Sequence, residues 1–153
     1  MKRLLIACLL SLLAAQANAK ESPFYMAIKA GMLDAGNSAT DNAVNAAFDI
    51  GYRHNRYLST EMEYSTTFIN GNNSSGNDWS TDVLSVFAAL RSNTKVKLKG
   101  KIGVSNIEGG NSGLELSTGI GIGFWAAGGL MEVEYTKLDD GLSFFSVGVN
   151  YFY

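Results

Sequence analysis

The sequence predicts an all-β chain that closes into an eight-stranded antiparallel up-and-down β-barrel. Three observations predict it. Apolar and polar residues alternate with period two in eight separate segments. The joints between the segments alternate between tight turns and more polar, mostly longer loops. Seventeen glycines stand against a single proline, Pro23, a balance suited to sheet and turn rather than to helix.

The chain opens on Met1-Lys2-Arg3, runs apolar over 4–15 and then reads Ala17-Asn18-Ala19, the order of a cleaved export signal. That apolar run is about half the ~20 residues a membrane-crossing helix needs. Residues 1–19 are therefore read as a removed signal peptide and 20–153 as one domain. Cys8 sits too early in the apolar run for a lipoprotein box and leaves with the signal, so neither a disulfide nor a thiol site is expected. The formal net charge of −2 becomes more negative once Lys2 and Arg3 are lost, which speaks against a nucleic-acid partner.

The strands follow in order. Over 24–33, Ile28 and Met32 alternate with Lys29; over 46–53, Phe48, Ile50 and Tyr52 alternate with Asp49 and Arg53. Over 57–68, Leu58, Met62, Tyr64 and Phe68 face away from Ser59, Glu61 and Glu63; over 81–91, Leu84, Val86 and Leu90 oppose Ser85 and Arg91. The clearest segment is 95–104, where Lys95, Lys97, Lys99 and Lys101 alternate with Val96, Leu98 and Ile102. Over 114–125, Leu116, Ile120, Ile122 and Phe124 alternate with Glu115, Ser117, Gly119, Gly121 and Gly123. Over 130–138, Val133 and Tyr135 oppose Glu132 and Glu134, and over 143–153, Phe145, Val147, Val149 and Tyr151 oppose Ser146 and Gly148. Tight turns are expected at 54–56, 92–94 and 126–129; the other joints are 34–45, 69–80, 108–113 and 139–142.

Alternation alone allows a soluble barrel with an apolar interior. The chemistry of the faces decides otherwise. One face is almost entirely large and apolar. The other mixes glycine and serine with seven basic and six acidic residues: Lys29, Arg53, Arg91, Lys95, Lys97, Lys99 and Lys101 against Asp49, Glu61, Glu63, Glu115, Glu132 and Glu134. Small residues and near-balanced charge suit a narrow interior filled by its own side chains, leaving the apolar face for lipid. Aromatics gather at the segment ends, with Phe24, Tyr52, Tyr57, Phe124, Trp125, Tyr151 and Tyr153 towards the tight turns and Phe68, Trp79, Tyr135 and Phe144 towards the loops. Such girdles mark the two membrane interfaces, and short turns belong on the periplasmic side. The expected fold is thus a transmembrane barrel.

The chain ends Ser146-Val147-Gly148-Val149-Asn150-Tyr151-Phe152-Tyr153, with a polar residue, glycine two on, and aromatics three and five further. This resembles the C-terminal signal of outer-membrane β-barrels, and residues 20–153, including the turn from Gly51 to Leu58, resemble the OmpA/OmpX-type small barrel domain. The resemblance implies insertion by the barrel-assembly machinery through Ser146, Gly148, Tyr151 and Tyr153, and residence in the outer membrane of a Gram-negative bacterium. Its lipid and lipopolysaccharide would be the surroundings. No peptidoglycan-binding domain is expected after Tyr153.

Several motifs invite sharper readings. The lysine row could line an anion path, but pairing with Glu61, Glu63, Glu115, Glu132 and Glu134 explains it better. His54, the only histidine, could serve a lipid-modifying reaction, yet it lies in a periplasmic turn and no motif sets a serine or carboxylate beside it. The run from Gly119 to Gly123 superficially matches a nucleotide loop but lies inside a strand with no helix after it. Asp34, Asp41, Asp78, Asp139 and Asp140 could meet a divalent cation bridging lipopolysaccharide phosphates, although turn formation explains them as well. Asn73-Ser74-Ser75 reads as a glycosylation sequon only outside bacteria. The expectation is a monomeric structural or surface-interaction barrel with no catalytic residues, cofactor or metal. Any surface ligand would meet loops 34–45 and 69–80; a narrow pore or a lipid A-modifying enzyme are the alternatives.

Overall fold

The computed structural model describes residues 23–36, 40–72, 75–108 and 113–152. The expected signal peptide, Asn73 and Ser74 of the sequon, and Tyr153 lie outside them. Eight long strands form the body: β1 (Phe24–Asp34), β2 (Ala43–Arg53), β3 (Leu58–Ile69), β6 (Asp82–Arg91), β7 (Val96–Glu108), β8 (Leu114–Ala126), β9 (Gly129–Lys137) and β10 (Ser143–Phe152). Two short ones, β4 (Gly71–Asn72) and β5 (Asp78–Trp79), pair with each other within a loop.

The long strands pair antiparallel with their sequence neighbours, and β1 pairs β10 from Tyr25 opposite Phe152 to Asp34 opposite Ser143. The sheet is closed, so no strand edge is left unpaired. Closure is what a sheet must achieve in hydrocarbon, where no water can satisfy an exposed N–H or C=O.

Local chemistry sets the turns. At 126–129 both central residues, Ala127 and Gly128, have positive φ (50° and 82°), the signs of the two-residue hairpin turn whose twist matches the strands. At 54–58 the Asn55 side-chain oxygen accepts from the backbone N–H of Tyr57 (2.8 Å) and of Leu58 (3.0 Å). Ser92 closes the third tight turn, its Oγ accepting from the Leu98 N–H at 2.9 Å.

The structure confirms which face is which. Leu98, Ile102, Leu116 and Ile120 are more than half exposed, and so are aromatics such as Phe124 and Trp125, while Lys29, Asp49, Glu61, Glu63, Lys99, Lys101, Glu132 and Glu134 of the opposite face are buried. A contiguous apolar belt on every strand is far larger than the patches soluble monomers tolerate.

Some expectations are corrected. β2 starts at Ala43, not at 46, and β7 runs on to Glu108, because its inward positions beyond 104 are taken by Ser105 and Ile107. The loop at 69–80 holds the β4–β5 pair, anchored where Trp79 Nε1 donates to the Asp41 carbonyl at 2.9 Å. Phe144, assigned to the loop-side girdle, points into the barrel and is buried. It joins Leu33, Ala43, Ala47, Val83, Ile107 and Leu138 in an apolar cluster under Trp79 and Leu142 that caps the loop end of the lumen.

Candidate functional site

The interior is the most chemically charged region of the chain. Strand pleating delivers it, since every second side chain points inward. Lys29 on β1 reaches Asp49 (2.6 Å), Glu63 (2.7 Å) and Glu134 (3.1 Å). Lys99 on β7 reaches Glu61 (2.8 Å) and Glu134 (2.7 Å), with Glu132 at 3.6 Å. Lys101 joins Glu63 (3.2 Å) and Glu134 (2.9 Å), its ammonium 4.2 Å from the centroid of the Phe87 ring.

Towards the tight turns Arg91 seals the set. Its guanidinium binds Glu132 through Nε (2.9 Å) and Nη2 (3.2 Å), and Glu61 at 2.8 Å. Nη1 donates to the Tyr25 hydroxyl (2.8 Å) and to Ser59 Oγ (3.1 Å), while the Tyr25 hydroxyl donates to Glu61. Asn150 Nδ2 donates to Glu132 at 2.8 Å. Bidentate and charge-assisted bonds of this kind are the strong ones, and they make a buried ion cluster tolerable.

Glycines make the room. A Cβ on Gly121 would stand 2.9 Å from Glu134 Cγ, one on Gly123 would stand 2.7 Å from Glu132 Cγ, and one on Gly148 would stand 2.6 Å from Lys29 Cγ. The glycine run of β8 therefore lies in a strand against glutamate stems, as close packing requires, and forms no nucleotide loop.

Of the residues expected in the lumen charge network, Asp49, Glu61, Glu63, Arg91, Lys99, Lys101, Glu132 and Glu134 converge, together with Lys29. Four do not join them. Lys95 is exposed in the turn before β7, and Glu115 is exposed near the loop end of β8. Lys97 sits at the turn-side mouth, its ammonium 3.5 Å from Asn93 Oδ1, and Arg53 lies there over the Phe152 ring at 5.0 Å. Alternation runs past the sealed part of the barrel to the rims, so these four positions lie beyond the buried network. The near balance of seven to six thus becomes four buried cations, Lys29, Arg91, Lys99 and Lys101, against five buried carboxylates. Sequence reasoning missed Tyr25 and Asn150, although each shares its strand's inward parity, with Lys29 and Ser146 respectively.

In the expected assembly signal, Ser146 and Gly148 are buried on the inner face and Tyr151 is half-buried, paired in register with Met26. His54 is exposed on the turn rim, with Nε2 2.8 Å from Thr60 Oγ1 and its ring edge-on to Tyr52 at 5.1 Å. Asp34 and Asp139 do hold turns, accepting from the N–H of Gly36 (2.9 Å) and Gly141 (2.6 Å). No group of three or more His, Cys, Asp or Glu suited to a metal is found among the described residues.

The two rims carry opposite charge. Asp34, Asp41, Asp78, Asp82, Glu108, Glu115, Asp139 and Asp140 lie at the loop end, where Lys137 is paired with Asp140 at 2.7 Å. That contact holds the Asp140 carboxyl below its ordinary range. Arg53, Arg56, Lys95 and Lys97 lie at the turn end.

A family model described as the outer membrane protein beta-barrel domain matches residues 5–153. Neisserial surface protein A matches with a TM-score of 0.62 at 16% identity, over 88% of this chain and 100% of that one. A de novo designed transmembrane β-barrel matches at 0.60 and 17% identity, covering 88% and 98%. The Yersinia pestis outer membrane protein Ail, in a phospholipid bilayer nanodisc, matches at 0.55 and 18%, covering 84% and 99%. At such identities these structures share the fold and nothing finer. No curated protein matches the chain.

Proposed function

The chain belongs to the outer membrane protein β-barrel domain family, a family of the Gram-negative outer membrane, and from that premise we propose that it is a structural, surface-contacting barrel that neither conducts nor catalyses. The observation that carries this reading is the lumen, filled from wall to wall by Lys29, Lys99, Lys101, Arg91 and their carboxylates and capped at the loop end by Phe144 and its neighbours. An ion entering would have to displace buried, multiply bonded charges, each costly to leave unpaired.

Residues 1–19 serve as the export signal and the terminal residues 146–153 as the assembly signal, and the outer-membrane lipid and lipopolysaccharide are the surroundings. Contact with the exterior goes through loops 34–45 and 69–80, which are tied together by Trp79 to Asp41 and by the Asp41 N–H to the Asn72 carbonyl at 2.7 Å. Ail has been crystallised with the heparin analogue sucrose octasulfate. The acidic loop rim here disfavours such a polyanion and suits a cationic group or a cation-bridged lipopolysaccharide phosphate.

Two measurements test the reading together. Purified protein in planar bilayers is expected to give no steady conductance, and lipid A from cells with and without it is expected to have the same mass spectrum. A stable single-channel current, or an acyl chain gained or lost, would overturn it.

A further inference from the structure

The turn-side mouth of the lumen is a pocket of about 250 Å³ lined by Arg53, Arg56, Lys97, Tyr57, Trp125 and Phe152, with Arg91 also in its wall and no aspartate or glutamate among the described residues that line it. Arg91 is neutralised from the lumen side by Glu61 and Glu132, so the buried carboxylates are spoken for. The cations outside that seal have aromatic walls: the Arg56 guanidinium lies over Tyr57 at 4.8 Å and that of Arg53 over Phe152 at 5.0 Å. Positive charge held against low-dielectric walls interacts with an anion more strongly than it would in bulk water.

The geometry points to an anion site at this mouth that takes a phosphate group. Guanidinium forks match the oxygens of a phosphate, and a third cation, Lys97, supplies a point charge beside them. The pocket has room for a small substituent on the phosphate. It also lies at the level of the exposed aromatics Tyr52, Tyr57, Phe124 and Trp125, which sit where headgroups meet water. The phosphate can therefore come from a phospholipid headgroup of the periplasmic leaflet or from free phosphate in the periplasm. This site goes beyond the structural role proposed above and does not depend on it.

The test uses the folded chain in maltoside micelles, which bring no phosphate, at fixed ionic strength. Inorganic phosphate and, separately, dihexanoyl phosphatidylglycerol are titrated while the Trp125 indole and the amides of Arg56, Asn93 and Lys97 are followed by NMR. Saturable shifts confined to this rim are expected. Binding should weaken about tenfold or more in Arg56→Gln/Lys97→Gln, and should stay unchanged in Lys95→Gln, which removes a rim charge outside the pocket. Tighter binding of the lipid assigns the site to a headgroup, and tighter binding of inorganic phosphate assigns it to the free ion. The inference falls if neither probe saturates, if the double variant binds as the parent does, or if Lys95→Gln loses as much affinity.

Discussion

Replacing Lys99 by Met tests whether the lumen is held together by its charges. The Lys99 ammonium is fully buried and touches Glu61 and Glu134 at 2.8 and 2.7 Å. Methionine keeps most of the volume and removes the charge, leaving five carboxylates to Lys29, Arg91 and Lys101. Breaking a buried pair on one side costs roughly 3–5 kcal/mol. Here Glu134 keeps Lys29 (3.1 Å) and Lys101 (2.9 Å), and Glu61 keeps Arg91 (2.8 Å), so neither is stranded. The loss should fall at the low end, about 3 kcal/mol, or roughly a hundredfold in the folding equilibrium. Adding Glu61→Gln restores the parent's surplus of one carboxylate while an amide oxygen can still accept from Tyr25 and Arg91, so the double variant should be more stable than the single one. The assay is urea unfolding in lipid vesicles followed by tryptophan emission. The exposed Lys137 should be replaceable without a measurable shift. A Lys99→Met variant within about 0.5 kcal/mol of the parent, or a double variant less stable than the single, would mean that the lumen is not held together by its charges.

Three further outcomes are expected of the same assay. Gly51→Ala would put a Cβ 2.0 Å from the Tyr25 ring and should cost about 1–3 kcal/mol, whereas Gly100→Ala meets nothing within 4 Å and should leave stability unchanged. Phe144→Ala should cost about 3–5 kcal/mol by hollowing the apolar cap; a loss under about 1 kcal/mol would place that ring outside the core. Asp49→Asn should be neutral within about 1 kcal/mol, since Asp49 is ion-paired to Lys29 alone among the described residues and Lys29 retains Glu63 and Glu134; a loss of several kcal/mol would mean that the fifth carboxylate is needed.

The barrel and its inside-out polarity were legible because both follow from parity. Lys29, Glu63, Lys99 and Glu134 stand at alternate positions, and a strand has no way to send them anywhere but to one face. The same parity could have placed Tyr25, Leu33, Phe87 and Phe144 inside, yet aromatic character alone assigns Phe144 to the girdle, and the other three receive no face from the sequence. Polarity fails as a guide in a lumen whose loop end is plugged by hydrophobic side chains. Lys95, Lys97 and Glu115 were misplaced for the opposite reason: parity is right, but whether an inward position is sealed or solvated depends on how far along the barrel it lies. The β4–β5 pair was hidden by composition, since a loop rich in asparagine and glycine shows no alternation and is ordered by Trp79 reaching Asp41 across the chain. The rim charges are plain in the sequence, but only the closed topology gathers the acidic ones at one end and the basic ones at the other.

The claim on which all of this rests is that residues 24–152 are folded as a closed barrel within the outer membrane. Detergent-extracted outer membranes, run on a gel with and without boiling, test it most directly. The protein is expected in that fraction, with the unboiled form migrating differently from the boiled one. Identical migration, or recovery of the protein only from the periplasmic fraction, would contradict it.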